Sequence, residues 1–121
     1  MKKGIKEIVI NNCRGSFGLS HGGIMEYAKL SGFSLYPYVW NYTTDGYNEY
    51  REEEDKSEFF NSITYSTKPL NEYGAIESDS RFSIYDIKRD DENLVKVVRE
   101  LGEKSFGRLA KLKIAEILNI S

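Results

Sequence analysis

Ile8-Val9-Ile10-Asn11-Asn12-Cys13-Arg14-Gly15-Ser16-Phe17-Gly18-Leu19-Ser20 is an apolar run that stops at two asparagines and crosses a small-residue loop to a serine. Ile5 and Ile8 to Ile10 read as a strand. Ser20 is a good N-cap, and the following residues repeat apolar positions at helical spacing: Ile24, Tyr27, Ala28 and Ser31, widened by Met25 and Leu30. Gly32 stops that helix. A strand, a tight loop and a helix in this order place Asn11 to Ser20 where backbone must turn sharply or approach something closely. Gly22 and Gly23 are unusual in a first helical turn, since each costs roughly 1 kcal/mol relative to Ala. They fit either a frayed start or the close approach of a ligand or another backbone.

Downstream, Leu35 to Trp40 reads as a second strand, and Pro37 implies an edge or a bulge. Thr44-Asp45-Gly46 is a turn. The acidic, Tyr-rich residues 42–58 fit a loop or an irregular helical arm. Ser62 to Thr67 and Phe82 to Ile87 alternate and read as two more strands. The clearest helix starts at an Asp90 or Asp91 cap, lines Leu94, Val95, Val98 and Leu101 on one face, and ends at Gly102. Leu109 to Ile117 fits a strand by partial alternation and a helix by its spacing of three. The expected architecture is α+β: one domain, with a small antiparallel sheet packed with two main helices.

The chain of 121 residues is long enough for one real core. It carries a net charge of −2, which argues against nonspecific binding to polymeric nucleic acid. Acids cluster between Asp45 and Glu58, whereas the last third is rich in Lys and Arg and offers an anion a local positive site. No run is long and apolar enough to span a membrane, and no apolar signal core follows the basic N-terminus, so a cytoplasmic location is expected. Cys13 and His21 are each the only residue of their type. That excludes an intrachain disulfide and a cysteine-based zinc site. No metal or cofactor is expected.

Two loop chemistries fail on inspection. A phosphatase loop needs an arginine separated from its cysteine nucleophile by five intervening residues, where Leu19 stands. A P-loop needs Gly-Lys-Ser/Thr, where Leu19-Ser20-His21 stands. Anion binding by loop N–H groups and the helix start remains. Arg89, beside Asp90 and Asp91, and Arg108, beside Gly107, fit a helix-cap surface or a phosphate contact. No carboxylate pair has the hydrophobic setting that acid–base chemistry needs.

Several of these segments together resemble a known family. Ile10 to Ser20, Tyr27-Ala28 with Gly32, Arg89 and Asp91 with Leu94, Val97, Val98, Leu101 and Gly102, and Gly107-Arg108-Leu109-Ala110-Lys111-Leu112-Lys113 carry the likeness. It is to the first family of phage-encoded Thoeris anti-defence proteins, the sponges that sequester cyclic ADP-ribose isomers made by defence TIR enzymes without cleaving them. Members have also been described as binding cyclic oligonucleotides. The resemblance covers the two ends of the chain; residues 41–80 carry none of it. It implies an antiparallel sheet with helices, a C-terminal strand, and dimers or higher homo-oligomers with ligand pockets at subunit junctions.

Such a ligand needs an aromatic ring to stack on adenine, arginines for the pyrophosphate and loop N–H groups for hydrogen bonds. On that reading Phe82 is the stacking residue. Arg89 and Arg108 meet phosphate, and Ser16, Phe17, Gly18, Asn93 and Ser105 complete the pocket. No catalytic residue is assigned. Two other readings are a cyclic-nucleotide hydrolase using His21 and an acid, and an interaction module acting through residues 42–58.

Overall fold

The structure, a computed structural model, describes residues 4–50 and 63–118. In chain order it contains β1 (Ile5–Asn11), α1 (His21–Ser31), β2 (Tyr36–Asn41), β3 (Gly46–Glu49), β4 (Thr64–Ser66), β5 (Arg81–Phe82), α2 (Glu92–Leu101) and β6 (Leu112–Leu118), with short 3-10 turns between some of them. The protein is α+β, with two helices and antiparallel strands divided between two small sheets rather than gathered in one. Two compact units result: Met1–Gly32 with Ile84–Ser121, and Phe33–Ser83.

The first unit is built from both ends of the chain. β1 and β6 pair antiparallel over seven positions, from Ile5 opposite Leu118 to Asn11 opposite Leu112. This pairing makes the C-terminal segment a strand. Directly opposed residues share a face, so Val9 and Ile114 lie together, as do Glu7 and Glu116. Glu7 forms an ion pair with Arg99 of α2, which assigns that face to the helix. Val9, Leu94 and Val97 have no exposed surface and form the centre of this core, with Ile24, Tyr27, Ala28 and Leu112 around them.

Both helices begin and end where local chemistry directs. The Ser20 side chain accepts the Gly23 N–H at 3.0 Å, and Gly32 closes α1 in a left-handed conformation (φ 83°) that glycine adopts without steric cost. Asp91 caps α2 by accepting from the Asn93 and Leu94 N–H groups. Its second carboxylate oxygen accepts the Tyr27 hydroxyl at 2.8 Å, so one side chain starts α2 and holds α1 against it.

The Asn11–Ser20 loop lies against the stretch from Ser105 to Lys111 along a continuous seam. Gly107 donates to the Gly18 carbonyl at 2.8 Å, Ser20 donates to the Ser105 carbonyl at 2.9 Å, and Leu19 bridges Phe106 antiparallel. The Asn11 amide donates to the Gly15 carbonyl, while its oxygen accepts the Lys111 N–H. The Cys13 thiol donates to the Leu109 carbonyl. A Cβ on Gly23 would sit 3.2 Å from the Ser105 carbonyl oxygen, so backbone proximity accounts for the second glycine of the Gly22-Gly23 pair.

In the second unit, the order is β3-β2-β4-β5, all antiparallel. β2 is therefore an inner strand, not the edge that Pro37 suggested. Pro37 is tolerated because it closes the β2–β3 ladder: its carbonyl accepts the Tyr50 N–H at 3.0 Å, and only the returning bond is missing. Within residues 42–58, Gly46–Glu49 is a strand, whereas residues 51–58 lie outside the described residues. Asn41 starts the turn before β3 by accepting the Thr43 and Thr44 N–H groups, and Asp45 completes it at φ 56°. The strand expected over Phe82 to Ile87 is only the two-residue β5, followed by a 3-10 turn at Ile84–Asp86.

Tyr65 of β4 is buried. Burial pushes its hydroxyl pKa above the ordinary 10.0, and neighbouring Tyr50 adds to the shift. The unfolded chain releases this proton near pH 10, while the folded protein retains it. Stability attributable to Tyr65 is therefore complete below about pH 10 and declines as pH rises further. Thermal melts between about pH 9 and pH 12 are expected to show this decline, flattened in Tyr65→Phe. An equally steep profile in the variant would place its origin elsewhere.

Candidate functional site

Arg89 is where local structure and charge meet. It lies between β5 and α2, half-buried, and its carbonyl accepts the Val9 N–H at 2.8 Å from β1. The side chain turns onto Phe17, with the guanidinium carbon 3.4 Å from the ring centroid. Phe17 is itself buried. Stacking over the ring is favourable for a cation, and it occupies a face of the guanidinium while leaving the N–H donors at its planar edge available. Among the described residues no carboxylate forms an ion pair with Arg89; its neighbour Asp90 pairs instead with Lys6 at 3.3 Å. The group is thus fixed in direction by β1 and Phe17 and keeps its charge for an anion.

The seam brings further candidates toward this point. Ser16, Phe17 and Gly18 run along one side of it, with Ser105 and Arg108 on the other. Ser16 and Arg108 are exposed. Arg14, also exposed, flanks Gly15, which packs against the Leu109 backbone next to Arg108. Three arginines therefore belong to the loop, the α2 approach and the seam. Arg14 was overlooked in the sequence because nothing local distinguishes it; only the pairing of the two segments associates it with Arg108.

Other candidates are used differently. The Ser105 hydroxyl has no exposed surface and donates to the Gly102 carbonyl at 2.6 Å, so Ser105 shapes the seam and presents no group to a ligand. The Asn93 amide donates to the Ser31 hydroxyl at 3.1 Å, linking the helices. One Phe17 face carries Arg89, which makes Phe17 a support for the cation. Phe82 belongs to the second unit, half-buried on β5 with its ring centroid 5.6 Å from that of Phe33. Among the described residues no cluster of three His, Cys, Asp or Glu side chains is arranged to hold a metal ion, and no helix is long and apolar enough to cross a membrane.

Comparison with protein-family models, curated proteins and solved structures found no match to this chain.

Proposed function

We propose that this protein sequesters a cyclic ADP-ribose-type signalling nucleotide without cleaving it, and thereby blocks TIR-based antiphage defence in the cytoplasm of an infected bacterium. The observation that carries the reading is Arg89, stacked on Phe17 and unpaired with any carboxylate among the described residues. A fixed guanidinium fork suits a pyrophosphate, whose charge is spread over several oxygens. The sequence segments that suggested the family also support it physically: the Asn11–Ser20 motif and the Gly107–Lys113 motif form one seam. On this reading the ligand is a cyclic ADP-ribose isomer, with cyclic oligonucleotides as a second class. The binding species is a homodimer or larger homo-oligomer.

Calorimetric titration with a panel of cyclic ADP-ribose isomers and cyclic oligonucleotides tests the proposal. Saturable binding of at least one is expected, followed by recovery of intact ligand from the denatured complex. A cleaved product would replace sequestration with hydrolysis. Arg89→Ala and Arg108→Ala are each expected to weaken binding by roughly 10- to 100-fold while leaving the far-ultraviolet circular dichroism intact. Unchanged affinity in both would move the site elsewhere.

A further inference from the structure

The two edges of the β1–β6 sheet are not equivalent. On the β1 side, the outward Val9 N–H is taken by the Arg89 carbonyl. The Asn12-to-Lys111 bond fixes the phase of the ladder, so Ile10 with Lys113, Ile8 with Ala115 and Lys6 with Ile117 are the mutually bonded pairs. Leu112, Ile114, Glu116 and Leu118 consequently aim their N–H and C=O groups away from β1. Among the described residues no strand or backbone group receives them. The edge is lightly protected: β6 has no proline, its register with β1 runs without a bulge, Ile117 and Leu118 are exposed, and Lys113 and Glu116 are its only charges.

We infer that β6 pairs antiparallel with β6 of a second copy of this chain, about a twofold axis through Ala115, to make a continuous four-stranded β1-β6-β6-β1 sheet. Self-pairing is favoured by the sequence of the strand. With the axis at Ala115, all seven residues find partners: Leu112 faces Leu118 of the second copy, and Ile114 faces Glu116. Lys113 faces Ile117, and the small Ala115 meets its own equivalent. No like charges oppose one another. A shift of two residues either way leaves five matched positions, and one of these shifts sets Glu116 against Glu116, an unfavourable pair. On the face bearing Ile8, an apolar row Ile8–Ala115–Ala115–Ile8 then crosses the axis. This inference is independent of what the arginine site binds.

The test uses the full chain. Sedimentation equilibrium is expected to show a dimer, and Glu116→Pro is expected to raise its dissociation constant at least about tenfold. Proline there removes one outward N–H and leaves the bonds to β1 in place, so circular dichroism of the variant should be unchanged. Register is read separately by disulfide trapping in a Cys13→Ser background. Ala115→Cys is expected to cross-link on mild oxidation, since the two equivalent Cβ atoms lie within disulfide reach. Ile117→Cys is not, because its equivalents are separated by about four residues of strand, roughly 13 Å. A monomeric parent protein, a folded Glu116→Pro that still dimerises, or cross-linking at Ile117→Cys as fast as at Ala115→Cys would each overturn the inference.

Discussion

Gly15→Ala is expected to destabilise the protein by about 3 kcal/mol, at the upper end for overpacking, and to lower its melting temperature by roughly 10 °C or more. A Cβ at Gly15 would be driven into the Leu109 carbonyl oxygen and would also lie 2.8 Å from the Leu109 carbonyl carbon. The obstacle is backbone, which no rotamer change removes. Gly15 does not occupy the left-handed region, so the whole cost comes from the collision. To relieve it the loop must lift from the seam, which strains the Asn11 bonds to Gly15 and Lys111 and the Cys13 bond to Leu109. Thermal denaturation measures the effect; a melting temperature within about 2 °C of the parent would show that the two segments are not held together as described.

Gly107→Ala should cost about 2 kcal/mol or more for a related reason. Its Cβ would stand 2.6 Å from the Gly18 carbonyl carbon and 2.9 Å from both the Gly18 Cα and oxygen. The same peptide accepts the Gly107 N–H, so moving away to admit the methyl group weakens that bond as well. Gly18→Ala is the control. Its nearest obstacle is the Gly107 Cα at 3.7 Å, an ordinary contact. Because alanine lowers the entropy of the unfolded chain, that variant is expected to be neutral or stabilised by up to about 1 kcal/mol. The Gly15→Ala, Gly107→Ala double variant should lose less than the sum of its parts, since either substitution opens the same seam. Additive losses, or a Gly18→Ala as damaging as Gly107→Ala, would contradict this geometry.

These glycines mark the boundary of what was legible in the sequence. Helix ends were, because caps are local: Ser20, Gly32, Asp91 and Gly102 act within a few residues of themselves. The C-terminal segment fitted both periodicities, and only β1, more than a hundred residues away, makes it a strand. β3 was concealed by polar and tyrosine residues whose strand conformation comes from pairing with β2. The division of strands between two sheets was equally hidden, as it depends on which distant segments meet. At the candidate site, arginines could be recognised as anion ligands by type. That Arg89 lies on Phe17, and that Asn93 is spent on Ser31, required contacts over many tens of residues, whereas Ser105 is spent on Gly102 within a single turn.

The pairing of β1 with β6 also sets an order of events during synthesis. β1 leaves the ribosome long before its partner, with every other element of the fold between them. α1 must likewise wait for α2 before Tyr27 finds Asp91. The unit formed by Phe33–Ser83 has all its described strands within one contiguous stretch and faces no such delay. The nascent chain therefore holds an apolar strand without its mate while α1, the whole Phe33–Ser83 unit and α2 are made, a high-contact-order arrangement in which the first unit closes only after the second has been synthesised.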